Sequence, residues 1–222
     1  MSLRKRLLFA FTLFVAIYRS EASEVNDKFT EFEVVPDILD TLPDDLKSLN
    51  ITYETGLKVS LGNELKPSEV EKAPTVGWNL IDGGYYALLM TDPDAPSRVN
   101  ATRREIRHWL VVNIVANNLT SGEEVVSYRG SGPPEGTGLH RYIFLLFKQN
   151  STIALDTANL PNSETDRALT STRNLMGNFT LTLVGGDLFQ AQYEGNAGMI
   201  STNISLIFGL VLAQILYTFY EK

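Results

Sequence analysis

Residues 85–90, 108–115 and 140–147 form three apolar runs of six to eight residues, and each is bounded by proline, glycine or charge. Tyr85–Met90, His108–Val115 and His140–Phe147 are rich in β-branched and aromatic side chains and too short for core helices. They therefore predict buried strands, apolar on both faces. Phe179–Val184 alternates and predicts another strand. Ile51–Tyr53 and Leu57–Leu61 predict an antiparallel pair. Val76–Asn79 predicts a strand that turns at Asp82–Gly83–Gly84 into the Tyr85 run. Helical patterning is confined to Phe29–Val34 and Ser163–Met176. The expected fold is mainly β: an antiparallel sandwich with a few short peripheral helices. The chain has no cysteine, so its stability must come from that core.

The connections are as informative as the strands. Thr91–Asp–Pro–Asp–Ala–Pro–Ser–Arg98 leaves the first run with two carboxylates, two prolines and an arginine. Proline fixes φ and restricts its predecessor, so this is a stiff loop that can hold acidic groups in fixed directions. Gly130–Gly138 holds four glycines and two prolines in nine residues and cannot be a regular element. The chain's two histidines, His108 and His140, each begin an apolar run. If those strands start side by side, Asp92, Asp94, His108, Pro133, Pro134, His140 and Tyr142 meet at one rim of the sheet. Asp92, His108 and His140 have the composition of a two-histidine, one-carboxylate metal site. No activated serine or cysteine motif accompanies them, and the reading preferred is a binding site with no catalytic residue, metal or cofactor.

Three motifs together resemble the signatures of the phosphatidylethanolamine-binding protein family, which includes the Raf kinase inhibitor proteins. They are Thr91–Arg98, Arg104–Glu105–x–x–His108 and Gly130–Ser–Gly–Pro–Pro–x–Gly–Thr–Gly–Leu–His–Arg–Tyr142, supported by Gly62–Asn63–x–Leu65–x–Pro67 and Gln190–Ala191. The resemblance runs from about Val34 to about Tyr193. It implies a β-sandwich with a small anion pocket for a phosphate or phosphorylethanolamine headgroup. On this chain the pocket residues it implies are Asp92, Pro96, His108, Gly132, Pro134, His140 and Tyr142, with strained peptides near Ala95–Pro96 and Arg104–Glu105. Relatives of this type inhibit kinases or serine carboxypeptidases, and secreted insect relatives carry odorants. Protease inhibition and carriage of small hydrophobic ligands are therefore alternatives to headgroup binding. The chain departs from the family pattern at Arg103, where an aromatic residue is usual, and at Arg107. An arginine facing the pocket would add a charge-assisted donor and remove a stacking wall. A histidine beside a carboxylate is expected to be cationic there.

Arg4–Lys5–Arg6, the apolar Leu7–Ile17 and Ser20–Glu21–Ala22 predict a signal peptide over 1–22. A domain would then occupy 23–194. The net charge is −7, and no basic stripe lies outside the signal segment, which argues against a nucleic-acid partner. N-x-Ser/Thr sequons at Asn50, Asn100, Asn118, Asn150, Asn178 and Asn203 fit a secretory, extracellular glycoprotein. Residues 195–222 form an uncharged, apolar tail ending in Glu221–Lys222. The readings open for it are a lipid-anchor signal, a membrane span or a packed helix.

Overall fold

The computed structural model of this chain describes residues 24–79, 83–155 and 167–195. The expected signal peptide, the sequon at Asn203, residues 163–166 of the expected helix and all but the first residue of the tail lie outside them. Among the described residues no helix is long and apolar enough to cross a membrane.

Helix α1 covers residues 24–31 and a single turn, α2, covers Val34–Asp37. The strands are β1 (Lys47–Ser48), β2 (Asn50–Thr52), β3 (Asn63–Glu64), β4 (Thr75–Gly77), β5 (Tyr85–Asp92), β6 (Ile106–Val115), β7 (Glu123–Val126), β8 (His140–Gln149) and β9 (Thr182–Ala191), with helix α3 (Thr172–Phe179) before the last. Seven of them form one sheet in the order β1-β9-β8-β5-β6-β7, with β3 also on β9. Strands β5 to β9 pair antiparallel, whereas β1 and β3 lie parallel to β9.

The large sheet is buried on both faces, which is why its strands read as continuous apolar runs. Ala87, Leu89, Ile143, Leu145 and Phe147 face a core closed by Val25 and Phe29 of α1, Val34 of α2, and Leu175 of α3. Their alternates Tyr86, Leu88, Met90, Phe144 and Leu146 face a second core with Ile51, Val76 and Trp78, carried by or beside the small β2–β4 sheet.

Four local expectations are corrected. Leu57–Leu61 forms no strand; a single bridge joins Lys58 to Thr52, on the edge of β2 that β4 leaves open. Strand β4 pairs with β2 and not with β5, whose two edges are taken by β6 and β8. Of the expected helix over Ser163–Met176, the described part begins only at Thr172. Ser171 caps it, accepting from Asn174 N at 3.2 Å. Strand β9 runs through Gly185–Gly186–Asp187, where sequence suggests an end. A Cβ at Gly186 would stand 2.5 Å from Phe29 Cζ, so glycine there is the cost of seating α1 on the sheet.

Candidate functional site

Antiparallel pairing builds the site. The C-terminal end of β5 lies between the starts of β6 and β8, with Asp92 opposite Ile106 and Thr91 opposite Ile143. His108 on β6 and His140 on β8 therefore flank Asp92 from opposite sides. The loops that follow β5 and precede β8 complete a cavity of about 570 Å³. Asp92, Pro96, Arg103, His108, Gly132, Pro134, His140 and Tyr142 all line it. Asp94 and Pro133 do not. The Asp94 carboxylate turns instead to the fully buried Arg141, accepting from its Nε at 2.8 Å and Nη2 at 2.5 Å. Val35–Pro36, Ala95–Pro96 and Arg104–Glu105 are cis peptides.

Sequence reasoning missed Glu71, Arg129 and Ser131, which also line the cavity. Ser131 lies inside the quoted Gly-Pro-rich motif and could have been taken from it. Glu71 could not. It arrives because Gly130 lets the loop touch the 70–71 backbone: a Cβ there would sit 2.5 Å from the Val70 carbonyl oxygen.

Hydrogen bonds fix the wall. His140 Nδ1 donates to Asp92 Oδ2 at 3.0 Å, and Asp92 Oδ1 accepts from Asp94 N at 2.7 Å. Thr137 Oγ1 lies 3.0 Å from His140 Nε2 and 2.8 Å from the Pro134 carbonyl oxygen. His108 Nδ1 donates to the Arg129 carbonyl at 2.8 Å, and the ring meets Tyr142 edge-on at 5.1 Å. Tyr142 in turn stacks on Phe189 at 5.0 Å. Its hydroxyl accepts the Gly132 N–H at 3.3 Å.

The electrostatics set His108 apart from a histidine held cationic by a carboxylate. Burial pushes its pKa down to about 4, outweighing the attraction of Asp92 for the protonated ring. Burial likewise pushes Tyr142 up, so its phenol stays protonated. Behind the wall, Glu105 is raised by burial and bonded to Thr172 N at 3.0 Å and to the Thr172 and Thr91 hydroxyls. The cavity thus combines the donors of Tyr142 and Arg103 with the neutral His108 imidazole and the carboxylates of Asp92 and Glu71. Among the described residues no group of His, Asp or Glu side chains is disposed to hold a metal ion. Asp92 bonds to His140 and to Asp94 N, His140 also to the Thr137 hydroxyl, and His108 to the Arg129 carbonyl.

Comparison with known proteins gives a consistent picture. The family model for phosphatidylethanolamine-binding proteins matches residues 55–183. A Drosophila melanogaster protein, provisionally named odorant-binding protein A5, is 33% identical over 158 residues, 70% of this chain and 74% of that one. The solution structure of CG7054 is 39% identical and superposes with a TM-score of 0.56, covering 72% of this chain and 92% of that one. A carboxypeptidase Y inhibitor, solved in complex with its cognate proteinase, shares the fold. Its TM-score is 0.65 at 22% identity, covering 78% of this chain and 96% of that chain.

Proposed function

This chain belongs to the phosphatidylethanolamine-binding protein family, and on that footing we propose that it is a non-enzymatic binding protein whose cavity receives phosphate-bearing headgroups or similar small anions. The observation that carries the reading is the composition of the cavity wall. Phenol and guanidinium donors at Tyr142 and Arg103 surround a buried floor in which Asp92 is engaged by His140. An anion entering there meets donors, and the Asp92 oxygens are already engaged by His140 and by Asp94 N.

Arg103 sets this chain apart. Its side chain is exposed at the cavity edge, and no ion pair holds it among the described residues. Titrating O-phosphorylethanolamine into ¹⁵N-labelled protein is expected to shift the amides of His108, Gly132 and His140. An Arg103→Tyr variant is expected to bind about tenfold more weakly, the loss of one charge-assisted hydrogen bond. Unshifted cavity amides would sink the anion reading; equal affinity of the variant would remove Arg103 from it.

Carriage of a small hydrophobic ligand is the second reading, favoured by the 33% identity to the odorant-binding relative. Protease inhibition has only the shared fold behind it. Both suit a secreted or surface-anchored protein. In support of that route, the asparagines of the five described sequons, Asn50, Asn100, Asn118, Asn150 and Asn178, are all exposed. Protein secreted from animal cells is expected to lose mass on treatment with an N-glycosidase; an unchanged mass would refute modification at these sites.

A further inference from the structure

The end of the large sheet opposite the cavity carries an apolar patch. Tyr85 opens β5 and Asp92 closes it, so about 23 Å of strand separates the two ends. By alternation Tyr85 lies on the face of Ala87 and Leu89, whose core is closed by α1, α2 and α3. At Tyr85 that cover has run out. Tyr85 is 38% exposed, and Val115, directly opposite it on β6, is 45% exposed. The segment after β8 folds back over the same end, where Ile153 N donates to Asn113 Oδ1 at 2.7 Å and Asn113 Nδ2 donates to the Ile153 carbonyl at 2.9 Å. Two residues further on is Leu155, 37% exposed. Apolar residues exposed singly need no explanation, but a group of them on one face is an association surface unless something covers it.

Two sequons stand at this end. Asn118 turns back onto Val115, donating its backbone N–H to the Val115 carbonyl at 3.1 Å, and Asn150 follows Gln149, the register partner of Tyr85 on β8. Both asparagines are exposed. Neither side-chain nitrogen donates a hydrogen bond among the described residues; the Asn118 amide is engaged only through Oδ1, which accepts from the Thr120 hydroxyl at 2.7 Å. Asn26, Asn63, Asn113 and Asn117, which lie outside sequons, instead commit Nδ2 to the fold.

We infer that N-glycans on Asn118 and Asn150 cover the patch and keep the chain from associating with itself through it. Attachment forms a bond from Nδ2 to C1 of the sugar as the C1–oxygen bond of a lipid diphosphate-linked oligosaccharide breaks. Nδ2 gives up one proton, and the lipid diphosphate leaves. A nitrogen already used by the fold could not carry a sugar without losing its contact, and these two are free of that conflict. The substituents are bulky and hydrated, and they are rooted on the two strands that flank Tyr85. Asn50, in the small sheet, and Asn100, in the loop after β5, lie elsewhere and leave this end open. The inference rests on the secretory reading and goes beyond it by giving two of the sequons a task.

The full chain secreted from animal cells tests it. Peptide mass mapping is expected to find glycan on both Asn118 and Asn150. An Asn118→Gln/Asn150→Gln variant is expected to show a sedimentation coefficient that climbs more steeply with protein concentration than that of wild type. An Asn50→Gln/Asn100→Gln variant should follow wild type. Adding Tyr85→Thr and Val115→Thr to the first variant should restore the wild-type slope, because the contact surface is then polar while the strands keep good β formers. If the first variant is not secreted, native wild-type protein trimmed with an endoglycosidase to one sugar per site should show the same steepening, and a trimmed Tyr85→Thr/Val115→Thr chain should not. A bare Asn118 or Asn150 on a chain glycosylated elsewhere would overturn the cover and leave the secretory reading standing. So would wild-type sedimentation after loss of both glycans, equal steepening in the Asn50→Gln/Asn100→Gln variant, or association that persists once Tyr85 and Val115 are replaced. A secreted chain with no glycan at any site would overturn the glycoprotein reading and the cover with it.

Discussion

An Arg141→Leu variant is expected to lose about 3–5 kcal/mol of stability, seen as a lower urea midpoint. Arg141 is completely buried, yet every arm of its guanidinium is engaged. Nε and Nη2 grip Asp94, Nη2 also reaches Asp37 at 2.6 Å, and Nη1 donates to the carbonyls of Phe32 at 2.5 Å and Glu33 at 3.1 Å. One side chain therefore ties β8 to the loop after β5 and to the segment entering α2. Arg104 adds a second hold, donating to Asp37 at 2.6 Å and to the Pro93 carbonyl at 2.7 Å. Burial alone would push Asp37 up, but Arg141 and Arg104 together bring it below the usual carboxylate range. Removing the arginine leaves the buried Asp94 with only Arg104 Nη2, 3.7 Å from its Oδ1, as counter-charge, and that undercompensated carboxylate is the main cost. Pairing Arg141→Leu with Asp94→Leu should recover part of the loss, since no charge is then stranded at position 94. Recovery should be incomplete, because the Phe32 and Glu33 carbonyls still lack their donor. A single variant as stable as wild type would show that the network carries no net weight. Anion binding should fall with the single variant too, because Asp94 N also positions the Asp92 carboxylate.

The second large effect is a cancellation in the pH dependence of stability. His108 has its pKa held near 4 by burial, below its ordinary 6.5. Between those values the unfolded chain binds the proton more readily, so His108 removes stability as pH falls from 6.5 to 4. Asp187 is buried in β9 and accepts the N–H groups of Leu61 and Leu188, both at 2.7 Å. Burial nevertheless raises it from 3.8 to about 6. Here the folded state binds the proton more readily, so Asp187 adds stability as pH falls through 6 towards 3.8. Each limb is worth about 3 kcal/mol at 1.36 kcal/mol per pKa unit. They run in opposite directions over nearly the same window. Asp187→Asn, whose Oδ1 can still accept both N–H groups, is expected to lose stability on acidification from pH 6.5 to 4 relative to wild type. His108→Gln is expected to gain it. Taking each variant as a difference from wild type removes the common contributions of Glu105 and Asp37, which are themselves shifted. Difference slopes of the same sign for both variants would refute the cancellation.

The strands and the site differ in how far local chemistry reaches. Strands β5, β6 and β8 are legible because a strand covered on both faces must be apolar at every position, and that requirement is written in consecutive residues. The stiff loop after β5 and the glycine-rich loop before β8 are legible for the same reason: proline and glycine act on their own backbone. Strand β9 was illegible past Val184. Gly186 answers to Phe29, more than 150 residues away in the chain, Gly185 to Lys47 and Leu49, and Asp187 to the Leu61 amide.

The sequence by itself determined the β class and the family motifs. It implied that Asp92, His108, Pro134, His140 and Tyr142 meet at one end of the sheet if β6 and β8 start side by side, with Pro96 and Gly132 added by the family resemblance. Whether Arg103 faces the cavity it left open. Antiparallel neighbours with apolar starts leave few other arrangements. Only the tertiary structure decided that Asp94 belongs to Arg141 and not to the cavity, that Glu71 and Arg129 reach the site, and that His108 is neutral. Each of these turns on the depth of burial and on partners distant in sequence. A neighbouring carboxylate is visible in a motif. The loss of water around a ring is not, because solvation depends on everything the fold packs around it.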